Sequence, residues 1–308
     1  MRNTFANTFY EAALKDERLC TVVADISPAG AMDKFRTGFP HRFINTGVAE
    51  QIMIGLCAGM ALRGLRPFAY TIATFTLFRP FEFVRDDLCY HDLPVTVVGI
   101  GGGVTYSTLG GTHHAQEDVA IASAIPNMSV LAPCDPAETR AATQWAVNEE
   151  RFRRGPVYLR LGKAGEPELT GTAEPFVFGR LRYLKRGEDV CILGYGPILK
   201  LAFELAARFE AKGKSVSIIS CHTVKPLDAE GVIEALRRHR HVIVIEEMAP
   251  TGGLGPQVKS LAWDSEARCR LDTFALQDAF IHVYGSHAEL LAAHGLDTAS
   301  IARRLGLD

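Results

Sequence analysis

The sequence lacks any excess of one charge. Its 33 Lys and Arg face 35 Asp and Glu, for a net charge of -2. That excludes the basic footprint of a nucleic-acid binder and the acidic tail of a solvating segment. Long apolar runs are missing too. The longest candidate, Ile52 to Leu62, is interrupted by Gly55 and Gly59. It falls short of the roughly 20 residues that a membrane span needs. The opening residues, Met1-Arg2-Asn3-Thr4, form no apolar signal region, so secretion is not expected. Cysteine is sparse and unpatterned. The seven, at positions 20, 57, 89, 134, 191, 221 and 269, include no CxxC spacing and are odd in number. Neither a disulfide framework nor a zinc site is expected, and a reducing cytoplasm is the expected compartment. Each cysteine reads as a small buried hydrophobe. Internal repeats and low-complexity tracts are absent as well.

What is present is 308 residues, 47% of them hydrophobic. That length suits two domains of about 150 residues each. Apolar β-rich runs alternate with helix-period segments, the pattern of an α/β fold with mostly parallel sheets flanked by helices. In the first half, strands are expected at Thr21–Ile26, Pro67–Thr71, Val95–Ile100, Ser129–Ala132 and Val157–Leu161. Helices are expected at about Val48–Arg63, Phe75–Tyr90, Gln116–Ala124 and Pro136–Glu149. Asp135-Pro136-Ala137-Glu138 reads as an N-cap, a first-position proline and a first-turn acid. Residues 164–177 are polar and punctuated by Gly165, Pro167, Gly171 and Pro175, and read as a linker. The expected division is 1–163, linker 164–177, and 178–308.

Four segments can carry chemistry. Glu50 opens a helix that is apolar nearly all round, Ile52 to Leu62. An acid there can serve the helix dipole alone. If the helix is buried, the carboxylate needs a partner or stays protonated. Phe75, Phe78 and Phe81 recur every three residues. They read either as core packing or as an aromatic wall for a flat ring. A glycine-rich loop, Gly99 to Val104, leads to Gly110-Gly111-Thr112-His113-His114. It matches neither a dinucleotide fingerprint nor a P-loop, and no zinc set accompanies the two histidines. A loop of small residues beyond a parallel strand can still bring His113 to a ligand. Finally, Gly252-Gly253-Leu254-Gly255 opens a helix after Glu246-Glu247; it suits a tight packing turn or a phosphate cradle.

The order of these pieces resembles the carboxy-terminal part of the transketolase and 1-deoxyxylulose-5-phosphate synthase family. Phe43-Ile44-Asn45-Thr46-Gly47-Val48-Ala49-Glu50-Gln51 is similar to the family's catalytic-glutamate segment. Ala73-Thr74-Phe75 resembles the start of its aromatic segment, and Gly111-Thr112-His113 its catalytic-histidine loop. Val23-Ala24-Asp25, Lys225-Pro226-Leu227-Asp228 and Gly252-Gly253-Leu254-Gly255 stand in register. The resemblance implies a pyrimidine-binding domain followed by a transketolase carboxy-terminal domain. It implies thiamine diphosphate as cofactor, with Asp25, Glu50, Phe75, Phe78 and Phe81 around its pyrimidine. Glu50 would hold N1′ and promote the imino tautomer that deprotonates the thiazolium carbon, while His113 would contact the reacting oxygen of the substrate. The GDG…N signature that holds Mg²⁺ in this family does not occur here. The resemblance therefore implies a split enzyme. A partner subunit would supply the diphosphate and Mg²⁺ ligands, in an α₂β₂ assembly with this chain as β.

Three departures bear on substrate. Leu109 stands where the family usually has an Asp that reads a sugar hydroxyl. Gly101 stands where a transketolase histidine meets phosphate, and Lys163 where an arginine is usual. Lysine still attracts an anion but loses the bidentate fork. The expected reaction is transfer of a two-carbon ketol unit from a ketose (phosphate) to an aldehyde. Kept beside it are a deoxyxylulose-phosphate-synthase-like or 2-oxoacid-dehydrogenase-β-like decarboxylating transfer, and a non-catalytic structural partner.

Overall fold

The computed structural model describes residues 1–25, 31–153, 155–170 and 174–307. Its strands are β1 (Leu19–Val23), β2 (Phe43–Asn45), β3 (Arg66–Ile72), β4 (Thr96–Ile100), β5 (Ser129–Leu131), β6 (Val157–Leu161), β7 (Arg182–Lys185), β8 (Val190–Gly194), β9 (Val216–Ser220), β10 (Thr223–Lys225), β11 (His241–Ile245) and β12 (Arg270–Phe274). The helices of the first half are α1 (Arg2–Ala13), α2 (Asp33–Gly38), α3 (Glu50–Leu62), α4 (Ala73–Leu77), α5 (Phe81–Phe83), α6 (Asp118–Ala124) and α7 (Pro136–Ala146). Those of the second are α8 (Lys200–Ala211), α9 (Ala229–Arg238), α10 (Leu254–Asp264), α11 (His287–Ala293) and α12 (Thr298–Leu305). Among the described residues no helix is long and apolar enough to cross a membrane.

Two sheets result, with strand orders β10-β5-β6-β4-β3-β1-β2 and β12-β11-β8-β9-β7. All pairings are parallel except β10 with β5 and β7 with β9. This is the expected two-domain α/β architecture, with helices covering both mostly parallel sheets. Central strands such as β3, β4 and β6 are buried along their whole length, which is why they read as continuous rather than alternating apolar runs. Ile26, the expected end of the first strand, lies outside the described residues. β10 comes from the second half of the sequence yet closes one edge of the first sheet. The apolar core is likewise shared: Met53, Val119 and Val130 belong to one cluster with Leu193, Val224 and Val244. Six cysteines are buried and free, and Cys269 is half-buried.

Local signals explain several elements. Asp135 caps α7 by accepting from the Glu138 N–H at 2.7 Å, with Pro136 in the first turn. Its other oxygen accepts from the Thr170 N–H at 3.0 Å and the Thr170 hydroxyl at 2.8 Å. One carboxylate thus caps a helix and ties down the chain beyond β6. The expected helix over Phe75–Tyr90 is corrected. α4 stops at Leu77, α5 starts at Phe81, and a wider π-type turn covers Val84–Tyr90. Pro80 is the physical reason: it has no N–H to donate to the turn before it.

Candidate functional site

The singled-out residues lie beyond the carboxyl ends of neighbouring parallel strands, where α/β sheets place ligands. Asp25 follows β1, Glu50 follows β2, Phe75 follows β3, the His113 loop follows β4 and Lys163 follows β6. The turn into α3 is built by Asn45. Its Oδ1 accepts from the Asp25 N–H at 3.1 Å and the Gly47 N–H at 2.9 Å. Gly47 sits at φ +68°, the left-handed region that favours glycine, and among the described residues a Cβ there would meet nothing within 4 Å.

Glu50 is the first residue of α3 and only 3% exposed. Its carboxylate does have a partner: Arg79 Nη1 donates to Oε1 at 2.8 Å and to Oε2 at 3.0 Å. Arg79 stays 44% exposed along its side chain, and its guanidinium lies 4.8 Å from the Phe75 ring centroid. Phe75 meets the His113 ring edge-on, with centroids 5.2 Å apart. His113 is 6.4 Å from the Tyr106 ring, and Lys163 Nζ stands 4.9 Å from the centroid of that same ring. A continuous line of contacts therefore runs Glu50, Arg79, Phe75, His113, Tyr106, Lys163. Burial pushes the His113 imidazole below its usual range, so it is neutral at neutral pH. Thr112 Oγ1 lies 2.9 Å from its Nδ1.

The aromatic segment divides. Phe75 and Phe78 are half-buried, whereas Phe81 is exposed and begins a separate helical turn. The three rings do not share one helical face, again because of Pro80. The apolar helix α3 is also not buried all round. Met53, Ile54 and Cys57 are buried, but Ile52 is 63% and Leu62 68% exposed. Leu109 is 50% exposed at the end of a 3₁₀ turn in the His113 loop. Gly101, at φ +73°, is glycine for a local reason: a Cβ there would collide with the Tyr106 ring. Asp25 is exposed, with φ 49°. In the second half, Glu246 occupies the turn that opens α10. Its carboxylate accepts from the Leu254 N–H at 2.7 Å and the Gly255 N–H at 2.8 Å. The glycines there seat an internal carboxylate, which is the packing alternative.

Sequence reasoning missed Arg79 and Tyr106. Arg79 carried a signal: it is the one cation in the stretch 73–84. Tyr106 carried none, because its place depends on how the loop folds back over β4 and β6. Next to Lys163 lies a cavity of about 220 Å³ whose lining includes Thr105, Lys200 and His287, so it opens between the two halves.

The residues fit an aminopyrimidine. They offer a buried carboxylate and two half-buried aromatic rings. Thr74 Oγ1, beside Phe75, is buried with no hydrogen-bond partner among the described residues. Such an orphaned polar atom marks a site that awaits a ligand or water.

Comparisons with known proteins identify the family. Residues 1–165 match the family model described as transketolase, pyrimidine binding domain. Residues 179–301 match transketolase, C-terminal domain. The chain is 30% identical over 303 residues to one subunit of the apulose-4-phosphate transketolase of Phocaeicola vulgatus, covering 98% of this chain and 95% of that protein. It is 34% identical over 255 residues to the 6-deoxy-6-sulfo-D-fructose transketolase subunit SqwH of a Clostridium species, covering 83% and 78%. A solved structure described as a split gene transketolase, inactive beta4 tetramer, superposes with a TM-score of 0.85 at 32% identity, over 99% of this chain and 98% of that one. The chain therefore belongs to the transketolase family and carries its pyrimidine-binding and carboxy-terminal domains.

Proposed function

We propose that this chain is half of a thiamine-diphosphate-dependent enzyme that moves a two-carbon ketol unit from a ketose to an aldehyde. The observation that carries the reading is the line of contacts from buried Glu50 through Phe75 to neutral His113. Bound thiamine diphosphate supplies a carbon nucleophile and then an electron sink for the transferred unit. Glu50, only 3% exposed, would hold a proton at the pyrimidine N1′. Arg79, 44% exposed along its side chain, would release the Glu50 carboxylate for a ring nitrogen held there. Phe78 would stack on the ring, with Phe75 lining its pocket and Asp25 and Phe81 at the margin. His113 contacts the reacting oxygen as a neutral imidazole, able to donate from one nitrogen and accept at the other.

Two relatives are named for ketoses that carry a phosphate or a sulfonate. That supports a donor with a distal anion here as well, attracted by Lys163 as a point charge. Leu109 offers no acceptor to a sugar hydroxyl, so discrimination by hydroxyl configuration is weak. The near end-to-end match to a split-transketolase subunit favours ketol transfer over the decarboxylating alternative. The diphosphate and Mg²⁺ are held by a partner subunit that carries GDG…N, in an α₂β₂ assembly.

Calorimetry and a coupled assay test this reading. The isolated chain should bind thiamine diphosphate poorly, and the reconstituted pair should bind it and transfer the ketol unit from a phosphorylated ketose. Micromolar Mg²⁺-dependent binding by this chain alone would sink the split-site reading. A reconstituted pair that decarboxylates pyruvate but ignores ketoses would replace ketol transfer with the alternative.

A further inference from the structure

The loop between β4 and α6 carries Tyr106, Leu109 and His113. It is closed at its base: the Gly103 N–H donates to the Ala115 carbonyl at 2.9 Å and the Ala115 N–H to the Gly103 carbonyl at 2.8 Å. Within the loop the hydrogen bonds are local turns, such as Leu109 N–H to Tyr106 and His113 N–H to Gly110, both 2.9 Å. Leu109 and Thr112 are exposed. Local turns do not by themselves fix where such a loop stands on the sheet.

Both stems of the loop meet one short segment from the other half of the chain. On the entering stem, the Val104 N–H donates to Glu247 Oε1 at 2.9 Å. On the leaving stem, the Ala249 N–H donates to the Gln116 carbonyl at 2.7 Å. Glu247 follows β11 and is 3% exposed. A Cβ at Gly103 would collide with its carboxylate, so the glycine admits the acid. The Glu247 carbonyl accepts from Arg160 Nη2 at 2.9 Å. Arg160 Nε also holds Asp118 Oδ2 at 2.8 Å, at the first residue of α6. His287, which opens α11, orients the acid through Nε2 at 2.8 Å from Oε1. Burial opposes charge on both, yet their mutual attraction prevails: His287 is pushed up, and Glu247, with Arg160 also nearby, is held down. The Val104 hydrogen bond is thus charge-assisted, the stronger kind.

We propose that Glu247, oriented by His287, is the positioning residue of the His113 loop. Through one carboxylate the second sheet sets where the His113 imidazole stands. The carboxy-terminal half then serves the reaction without touching substrate, because small misplacements of a reacting group cost rate steeply. The catalytic consequence rests on the role given to His113 above; the placement of the loop does not.

Amide exchange on the full chain reads placement without any activity. Glu247→Ala removes the acceptor, His287→Ala removes the group that orients it, and Glu247→Gln keeps an amide oxygen for Val104. Exchange across residues 104–116 should rise roughly tenfold in Glu247→Ala, the effect of losing a hydrogen bond to a charged acceptor. It should rise less in the other two, with β8 unchanged. In the reconstituted pair the same variants should lower kcat and leave the donor KM nearly unchanged, Glu247→Gln being the mildest. Loop exchange unchanged in Glu247→Ala, an equal rise in β8, or a loss confined to KM overturns the proposal. A wild-type pair with no transfer activity overturns the reading of His113 instead, and the exchange result still decides the placement of the loop.

Discussion

His222 is held neutral by its surroundings. Its ring stacks on Phe176 with centroids 4.1 Å apart, and Nδ1 lies 3.1 Å from Thr223 Oγ1. Burial, helped by the Arg182 charge, pushes its pKa down to about 3 from 6.5. The unfolded chain takes up a proton near pH 6.5 that the native chain refuses until about pH 3. Stability from the neutral ring is therefore complete above the unfolded value and is lost as pH falls through that window. Between neutral pH and pH 5 one such group accounts for about 2 kcal/mol. Denaturant unfolding of His222→Asn should show a pH dependence weaker by about that amount over the range; a wild-type dependence contradicts the assignment. Other residues differ in how much of their role was legible. Glu50 was readable because a lone acid at the head of an apolar run is unusual. Its partner Arg79 stood out only as the one cation in its stretch, since no local pattern records a contact between residues 29 positions apart. Glu247 read only as part of an acidic pair after a strand, because its contact with Val104 joins residues 143 positions apart.

Among the elements, α3 carries the clearest consequence. One face packs Met53, Ile54 and Cys57 into the core, while Val48, Ile52 and Leu62 stay exposed, with Phe81 and Phe83 also at the surface. Contiguous exposed apolar surface can mark an interaction site, and under the function proposed above the diphosphate-binding subunit covers this helix. Ile52→Glu should leave the chain folded, because Ile52 lies outside the core. It should weaken assembly with that subunit roughly tenfold or more, as expected for an unpaired charge placed in an interface core. Sedimentation of the mixed subunits checks this, and undiminished assembly contradicts it. Strands and long helices were legible because burial imposes runs and periods that local sequence records. The stretch after β3 was not: the aromatic spacing suggested one helix, and Pro80 divides it. β10 escaped for another reason. It is a three-residue strand whose antiparallel pairing with β5 reaches back across the chain, and no local pattern encodes such a partner.

At the scale of the whole molecule, the two sheets are joined by charged side chains as well as by a shared core. Glu138 of α7, fully buried, accepts from the Cys134 N–H at 2.7 Å, from Ser220 Oγ at 3.0 Å and from Arg182 Nη1 at 3.2 Å. Glu247 makes the second such link at the base of the His113 loop. The two-domain plan was legible through the order of the motifs. The links were not, since they depend on how one half seats against the other. What the chain presents beyond the carboxyl ends of neighbouring parallel strands is a buried acid, half-buried aromatic rings and His113. The central claim is that Glu50 governs the proton at the cofactor's pyrimidine. The most direct measurement is the rate of C2–H exchange of thiamine diphosphate bound to the reconstituted pair, wild type against Glu50→Gln. Glu50→Gln should fold and assemble normally while exchange slows by orders of magnitude. Exchange at the wild-type rate in that variant would contradict the claim and return Glu50 to a helix-dipole role.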